Sequence, residues 1–269
     1  MSYSGKSEKL IPLTTNNPVQ ARILHLTDTH LHANPDYVMM GRNTRLSLLA
    51  LLEHIHSESE KPDIVLVTGD LTHDETSKGY RDLRAILETL KAPVYVLPGN
   101  HDIPKLMHRH MNKGQVGTQR QILIHNWQIV MLDSTIRQSD NGRLDDSQLQ
   151  FLQHCLGQYP ERYTVICLHH PPLPTGSPWL DTMQLENSTQ FLNIIDKQPG
   201  VRAVLWGHIH QEFSAQLNNI QLLSTPSTFS QFKPLSSTYA VDKKRNAGYR
   251  WLELSDNGEL ETRVAWLPG

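Results

Sequence analysis

The chain alternates short, wholly apolar runs with longer stretches in which apolar residues return every three or four positions. The runs RILHLTD (22–28), DIVLVTGD (63–70) and PVYVLPGNHD (93–102) read as buried strands, each bounded by residues that break regular structure. Between them, NTRLSLLALLEHIHSE (43–58) carries Leu48, Leu49, Leu52 and Ile55 at helical spacing, with Asn43 or Thr44 as its N-cap. SKGYRDLRAILETL (77–90) places Tyr80, Leu83, Leu87 and Leu90 on one helical face. This strand–helix–strand–helix–strand series predicts an α/β protein with a mainly parallel sheet and right-handed crossovers. Farther on, QILIHNWQIVMLDS (121–134) predicts two strands close in sequence, and DDSQLQFLQHCL (145–156) a helix with an acidic start. YTVICLHH (163–170) and VRAVLWGHIH (201–210) predict two more core strands around a helix near 184–196. Turn signals at Asn218-Asn219 and Asn257-Gly258 make the last part richer in antiparallel hairpins. Residues 1–19 read as a polar, loosely held lead-in and 20–269 as one domain, since no repeat or linker divides them.

Polar clusters follow five of the apolar runs: Asp28-Thr-His30, Gly69-Asp70, Gly99-Asn100-His101-Asp102, His169-His170 and Gly207-His208-Ile-His210. Each stands at the carboxyl end of a predicted strand, the edge of an open α/β sheet where ligands bind. If the strands are neighbours, the five clusters meet in one crevice. Singly, an Asp-x-His or a Gly-Asp is a common surface turn; five in this order at strand ends are not. Their donors are oxygen and nitrogen without thiolate, a set suited to Mn, Fe or Zn. The set exceeds the four ligands of one tetrahedral ion and suits two ions that share a carboxylate. Residues two apart on an extended strand point the same way, which fits Asp28 with His30 and His208 with His210.

Composition narrows the alternatives. A hydrophobic content of 38% with 19% charged residues fits an ordinary globular protein, and a net charge of −2 lacks the basic stripe of a protein that grips nucleic acid. The two cysteines, Cys155 and Cys167, form neither a disulfide framework nor a metal knuckle. No apolar stretch approaches the roughly 20 residues that cross a bilayer, so no membrane partner is expected. The opening MSYSGKSEKLIPLTTNNPVQ lacks the apolar segment of a secretion signal, which predicts a cytoplasmic protein. Histidine is abundant, with 15 copies. Those outside the clusters, among them His25 and His73, read as surface or packing residues; His32 is close enough to the first cluster to be watched.

The order D-x-H, G-D, G-N-H-D, H, G-H-x-H across residues 28–210 resembles the calcineurin-like metallophosphoesterase superfamily. The superfamily often has Glu where this chain has Asp102. The segments RILHLTDTHL, LPGNHD, LHHPPLPTGSPWLD, GHIHQE and STPSTFSQFKP further resemble the bacterial 3′,5′-cyclic-AMP phosphodiesterases within it.

That resemblance implies a four-layer α/β/β/α sandwich with a dinuclear metal site at the carboxyl ends of the strands. It implies one ion held by Asp28, His30, Asp70 and His210, and a second by Asp70, Asn100, His169 and His208. His169 is preferred to His170 because it ends the apolar run directly. The ions would be two divalent cations, Fe²⁺ or Mn²⁺ before Zn²⁺. His30, Asp70, Asn100, His101 and His210 would meet the substrate, with His101 as acid or electrostatic partner and Asp102 orienting it. The implied reaction is hydrolysis of 3′,5′-cyclic AMP to 5′-AMP by a hydroxide held between the ions, in a monomer or homodimer that binds this small nucleotide. Pro171 to Asp181 and Ser224 to Pro234 are the segments expected near the adenine. The alternatives are a metallophosphodiesterase for other diesters, such as glycerophosphodiesters or 2′,3′-cyclic or non-cyclic nucleotides, and a non-catalytic metal-dependent binding module. Retention of His101 beside a full ligand set argues against the latter.

Overall fold

The structure is a computed structural model that describes residues 20–269, so the expected lead-in at 1–19 lies outside the described residues. The first half runs β1 (Gln20–Leu26), β2 (Val38–Met39), β3 (Arg42–Asn43), α1 (Thr44–Ser57), β4 (Ile64–Thr68), α2 (Ser77–Leu87), β5 (Val94–Leu97), α3 (Pro104–Met111) and β6 (Val116–Gly117). The second runs β7 (Gln121–Ile124), β8 (Trp127–Met131), α4 (Asp146–Gln158), β9 (Tyr163–Cys167), α5 (Ser188–Ile195), β10 (Val201–Trp206), β11 (Phe213–Leu217) and β12 (Ile220–Ser224). It ends with β13 (Gln231–Phe232), β14 (Val241–Asp242), β15 (Gly248–Ser255) and β16 (Leu260–Trp266).

Two six-stranded sheets form, ordered β16-β15-β1-β4-β5-β6 and β11-β12-β10-β9-β8-β7. In the first, β1, β4, β5 and β6 are parallel, and β15 and β16 add antiparallel strands beyond β1. In the second, β12, β10, β9 and β8 are parallel and the two outer strands are antiparallel. The strands of the opening series, β1, β4 and β5, are parallel neighbours as expected, but the five strands that carry the polar clusters do not all share one sheet. β1, β4 and β5 belong to one sheet, β9 and β10 to the other. The physical reason is that these strands are apolar on both faces, and each face needs its own cover. Along β4, Ile64 and Leu66 pack toward the opposite sheet with Tyr95, Ile129 and Leu205, while Val65 and Val67 pack with Leu52, Tyr80 and Met107. A third cluster joins α4 and α5 to the outer face of the second sheet through Leu152, Cys155, Phe191, Ile166 and Val204. The layers are thus α/β/β/α.

Local signals explain the element ends. Asn43 caps α1 by accepting from the Leu46 N–H at 2.9 Å, and Asp145 caps α4 from the Gln148 N–H at 2.9 Å. One expected core residue is misplaced: Leu49 is 42% exposed, and Leu51 is buried instead. Leu49 lies about 100° around the helix from Leu48, off the stripe that Leu51, Leu52 and Ile55 complete. The hairpins β2–β3 and β13–β14, two-residue strands without an alternating pattern, have no counterpart in the sequence reading.

Candidate dinuclear metal centre

All five polar clusters converge where the carboxyl ends of the two sheets meet. The chain turns sharply there, and Asp28, His30, Asp70, His208 and His210 have φ of 53°, 41°, 49°, 65° and 45°. They are five of the twelve non-glycine residues with positive φ among the described residues, so strained backbone collects at this point. Gly69 has φ of 96°, and a side chain at Gly69 or Gly99 would collide with His169 or Asp70. The glycines of the strand-end motifs serve this close approach.

The eight expected site residues come together. Asp70 Oδ2 lies 3.4 Å from His30 Nε2, and its Oδ1 lies 3.4 Å from His169 Nε2. Asp28 Oδ1 stands 3.4 Å from His210 Nε2, which is 3.3 Å from His30 Nε2. Asn100 Oδ1 is 3.1 Å from both His169 Nε2 and His208 Nδ1. His169 Nδ1–H donates to the Thr68 carbonyl at 2.7 Å and His210 Nδ1–H to the Ser230 carbonyl at 2.9 Å. Each bond fixes the tautomer whose Nε2 lone pair faces the carboxylates, the arrangement of a metal-binding imidazole. His30 Nδ1 and His208 Nε2 are buried without a partner. Asp28, His30 and His210 present ligand atoms within 4.8 Å of one another, as do Asp28, Asp70 and His169. So many buried acceptors in one place fit divalent cations, which satisfy them together. His170 instead points its Nδ1 at the Ser134 hydroxyl, 2.8 Å away.

The electrostatics follow from this crowding. Burial disfavours charge on His169, yet the Asp70 carboxylate outweighs it and raises the pKa to about 9. Burial would raise Asp70, but His169 and His30 hold it well below the usual carboxylate range. Burial dominates at His208 and lowers it to about 3. Metal binding must displace the His169 proton and therefore competes with acid.

His101 donates its main-chain N–H to Asp70 Oδ1 at 3.0 Å and sets its ring 5.0 Å from those of His30 and His73. Asp102 does not take the place expected of it beside that ring. Its carboxylate accepts from the N–H groups of Gly99 at 2.9 Å, Leu71 at 3.0 Å and Thr72 at 3.2 Å, and from the Tyr80 hydroxyl at 2.9 Å. It braces two loops.

A cavity of about 200 Å³ opens on the cluster. Its polar side is His30, Asp70, Asn100, His101, His208 and His210; its apolar side is Met39, Met40, Trp179, Leu180, Met183 and Phe232. Trp179 and Phe232 fall in the two segments expected near the adenine and touch edge-to-face at 4.9 Å. Met39, Met40, Met183, His73 and Asp140 lie beyond what the sequence reading found. They lie in loops or, for Met39, in the two-residue strand β2, without a strand-end signature, and only His73, in the DLTHDE stretch after Asp70, sits beside a motif. No helix among the described residues is long and apolar enough to cross a membrane.

Residues 21–212 match the calcineurin-like phosphoesterase family. The chain is 38% identical over 258 residues to a 3′,5′-cyclic adenosine monophosphate phosphodiesterase, CpdA, of Escherichia coli, covering 96% of this chain and 94% of that one. It is 36% identical over 253 residues to a 3′,5′-cyclic-nucleotide phosphodiesterase of Nostoc sp., covering 94% and 95%. Among solved structures, a dimetal phosphatase from Danio rerio superposes with a TM-score of 0.63 at 14% identity, covering 94% of this chain and 100% of that one, a likeness of fold. With its fold, its sequence and its strand-end clusters in agreement, the chain belongs to the calcineurin-like phosphoesterase family.

Proposed function

We propose that this chain is a dinuclear-metal phosphodiesterase that hydrolyses 3′,5′-cyclic AMP to 5′-AMP. The observation that carries the reading is Asp70, whose two oxygens reach His30 on one side and His169 on the other. In this assignment Asp28, His30, Asp70 and His210 hold one cation, and Asp70, Asn100, His169 and His208 the other. The nitrogen and oxygen donors favour Fe²⁺ or Mn²⁺ and also accept Zn²⁺. Bound there, the two cations supply a nucleophile at neutral pH and neutralise charge on the phosphoryl oxygens.

The chain's own residues do the rest. His30, Asp70, Asn100, His101 and His210 surround the phosphate end of the cavity, and the Met40–Trp179–Phe232 side excludes water from the nucleoside. The oxygen of a hydroxide, whose parent water has lost its proton to solvent, forms the new bond to phosphorus in line with O3′ as the P–O3′ bond breaks. His101 gives a ring proton to the departing O3′, which becomes the 3′-hydroxyl of 5′-AMP. The Escherichia coli relative supports cyclic AMP as substrate, and the Nostoc relative a 3′,5′-cyclic nucleotide. Cys155 and Cys167, separate buried thiols, support a cytoplasmic setting.

The test is turnover of 3′,5′-cyclic AMP beside cyclic GMP, 2′,3′-cyclic AMP and bis-p-nitrophenyl phosphate after reconstitution with Mn²⁺ or Fe²⁺. The expected result is a kcat/KM highest for 3′,5′-cyclic AMP with 5′-AMP as product. Hydrolysis of the generic diester alone would remove the cyclic-AMP role and keep the diesterase.

A further inference from the structure

The metal-facing cavity has an unusual charge pattern for a site that handles phosphate. Among the described residues, its lining holds no lysine or arginine. It holds two carboxylates, Asp70 and Asp140, and Asp140 belongs to none of the ligand-spaced groups. Asp140 is exposed, and its Oδ1 accepts from Asn100 Nδ2 at 3.2 Å. Its loop is pinned on both sides. Gly142 bridges to Thr135 and Leu185 and donates its N–H to the Gln184 carbonyl at 3.0 Å, and a side chain at Gly142 would strike the His170 ring. The carboxylate is therefore held at the cavity edge, one hydrogen bond from a residue of the proposed metal shell.

We infer that Asp140 makes the site selective for phosphodiester monoanions, expelling phosphomonoester dianions and so the product, while its hydrogen bond orients the Asn100 amide. The inference rests on the diesterase reading above. A cyclic or linear diester carries one negative charge. A monoester carries nearly two above its second pKa of about 6. Sites that grip the dianion commonly supply an arginine fork; here, among the described residues, no Lys or Arg lines the cavity, and Asp140 adds a negative charge beside the proposed metal shell. The extra repulsion falls on the dianion, hence on 5′-AMP after the P–O3′ bond has broken. The same hydrogen bond turns the Asn100 Nδ2 outward and its Oδ1 toward His169 and His208.

Two variants of the full Mn²⁺-loaded chain separate charge from hydrogen bond. Asp140→Asn keeps an acceptor oxygen for Asn100 and removes the charge; Asp140→Ala removes both. In Asp140→Asn, inhibition by 5′-AMP should tighten roughly three- to tenfold, the worth of one partly solvated charge a few ångströms away. The ratio of kcat/KM for bis-p-nitrophenyl phosphate to that for p-nitrophenyl phosphate should fall by a similar factor, and both effects should shrink at high salt. Asp140→Ala should show the same change in selectivity and also lower diester turnover, which Asp140→Asn rescues. If 5′-AMP inhibition and the diester-to-monoester ratio are unchanged in Asp140→Asn while the unsubstituted chain hydrolyses diesters, the charge role is overturned and the diesterase reading stands. If the unsubstituted chain prefers the monoester, both fall.

Discussion

A histidine that holds a cation and one that moves a proton differ in what surrounds the ring. His169 and His210 each have Nδ1 tied to a main-chain carbonyl, so only Nε2 is left for chemistry. His101 is placed by its main-chain N–H on Asp70 and by ring contacts with His30 and His73, and its side chain lines the cavity. In the proposed function it acts on substrate, although His30, His73 and His101 also present ligand atoms within 4.8 Å of one another. His101→Ala should lower kcat by roughly 10²–10⁴-fold, the range of general acid catalysis, while metal content per chain stays that of the unsubstituted protein. Kinetics paired with metal analysis decide the matter. Normal turnover in a fully loaded variant would take His101 out of the mechanism, and loss of metal would make it a ligand.

The loops that follow strands carry the site, and their mutual placement depends on ties such as Asp102. Its carboxylate gathers donors from the loop after β4, the loop after β5 and α2, and burial, helped by the nearby Asp70, raises its pKa to about 6. Asp102→Asn would turn an NH₂ toward those donors and should cost about 1–3 kcal/mol of stability, read as a lower urea midpoint. A variant of normal stability that reproduced the slow kinetics of His101→Ala would instead restore the orienting role expected from sequence. The departure from that expectation has a plain cause: His101 sits in a turn closed by the Asp102 N–H on the Gly99 carbonyl, and the Asp102 carboxylate is taken up by the N–H groups of Gly99, Leu71 and Thr72 and the Tyr80 hydroxyl. The ligand motifs were legible because each is a short pattern fixed to the end of an apolar strand, with glycines where the backbone must turn. Asp140, Met40 and Met183 were not, because they reach the cavity from loops whose position is set by strand pairing far away in sequence. The second sheet was legible only through family resemblance, since apolar runs announce burial on two faces without saying what covers them.

At the scale of the molecule, the site exists only while the two sheets stay in register, and His25 is one of the buried groups that join them. His25, in β1, donates Nε2–H to Thr68 Oγ1 at 2.8 Å and accepts at Nδ1 from the hydroxyl of Thr225, just past β12, at 2.6 Å. Thr225 in turn accepts from the buried Arg250 guanidinium at 3.3 Å, and Thr68 donates to Thr27 at 2.9 Å. This chain of donors leaves His25 neutral. Burial, with Arg250 adding to it against a weaker pull from Asp28, lowers its pKa from 6.5 to about 3. The unfolded chain takes up a proton below pH 6.5 that the folded chain refuses until about pH 3, so stability is full above the first value and falls as pH drops toward the second. One such group contributes a slope of up to about 1.4 kcal/mol per pH unit within that window. His25→Gln, which cannot be protonated, should be less stable than the unsubstituted chain at neutral pH because its amide does not hold a donor at Thr68 and an acceptor at Thr225 as the two ring nitrogens do. Its urea midpoint should then decline less steeply between neutral pH and about pH 4. Parallel slopes for the two proteins would show that His25 accepts its proton in the folded state, and that the contact between the sheets tolerates a charge at this point.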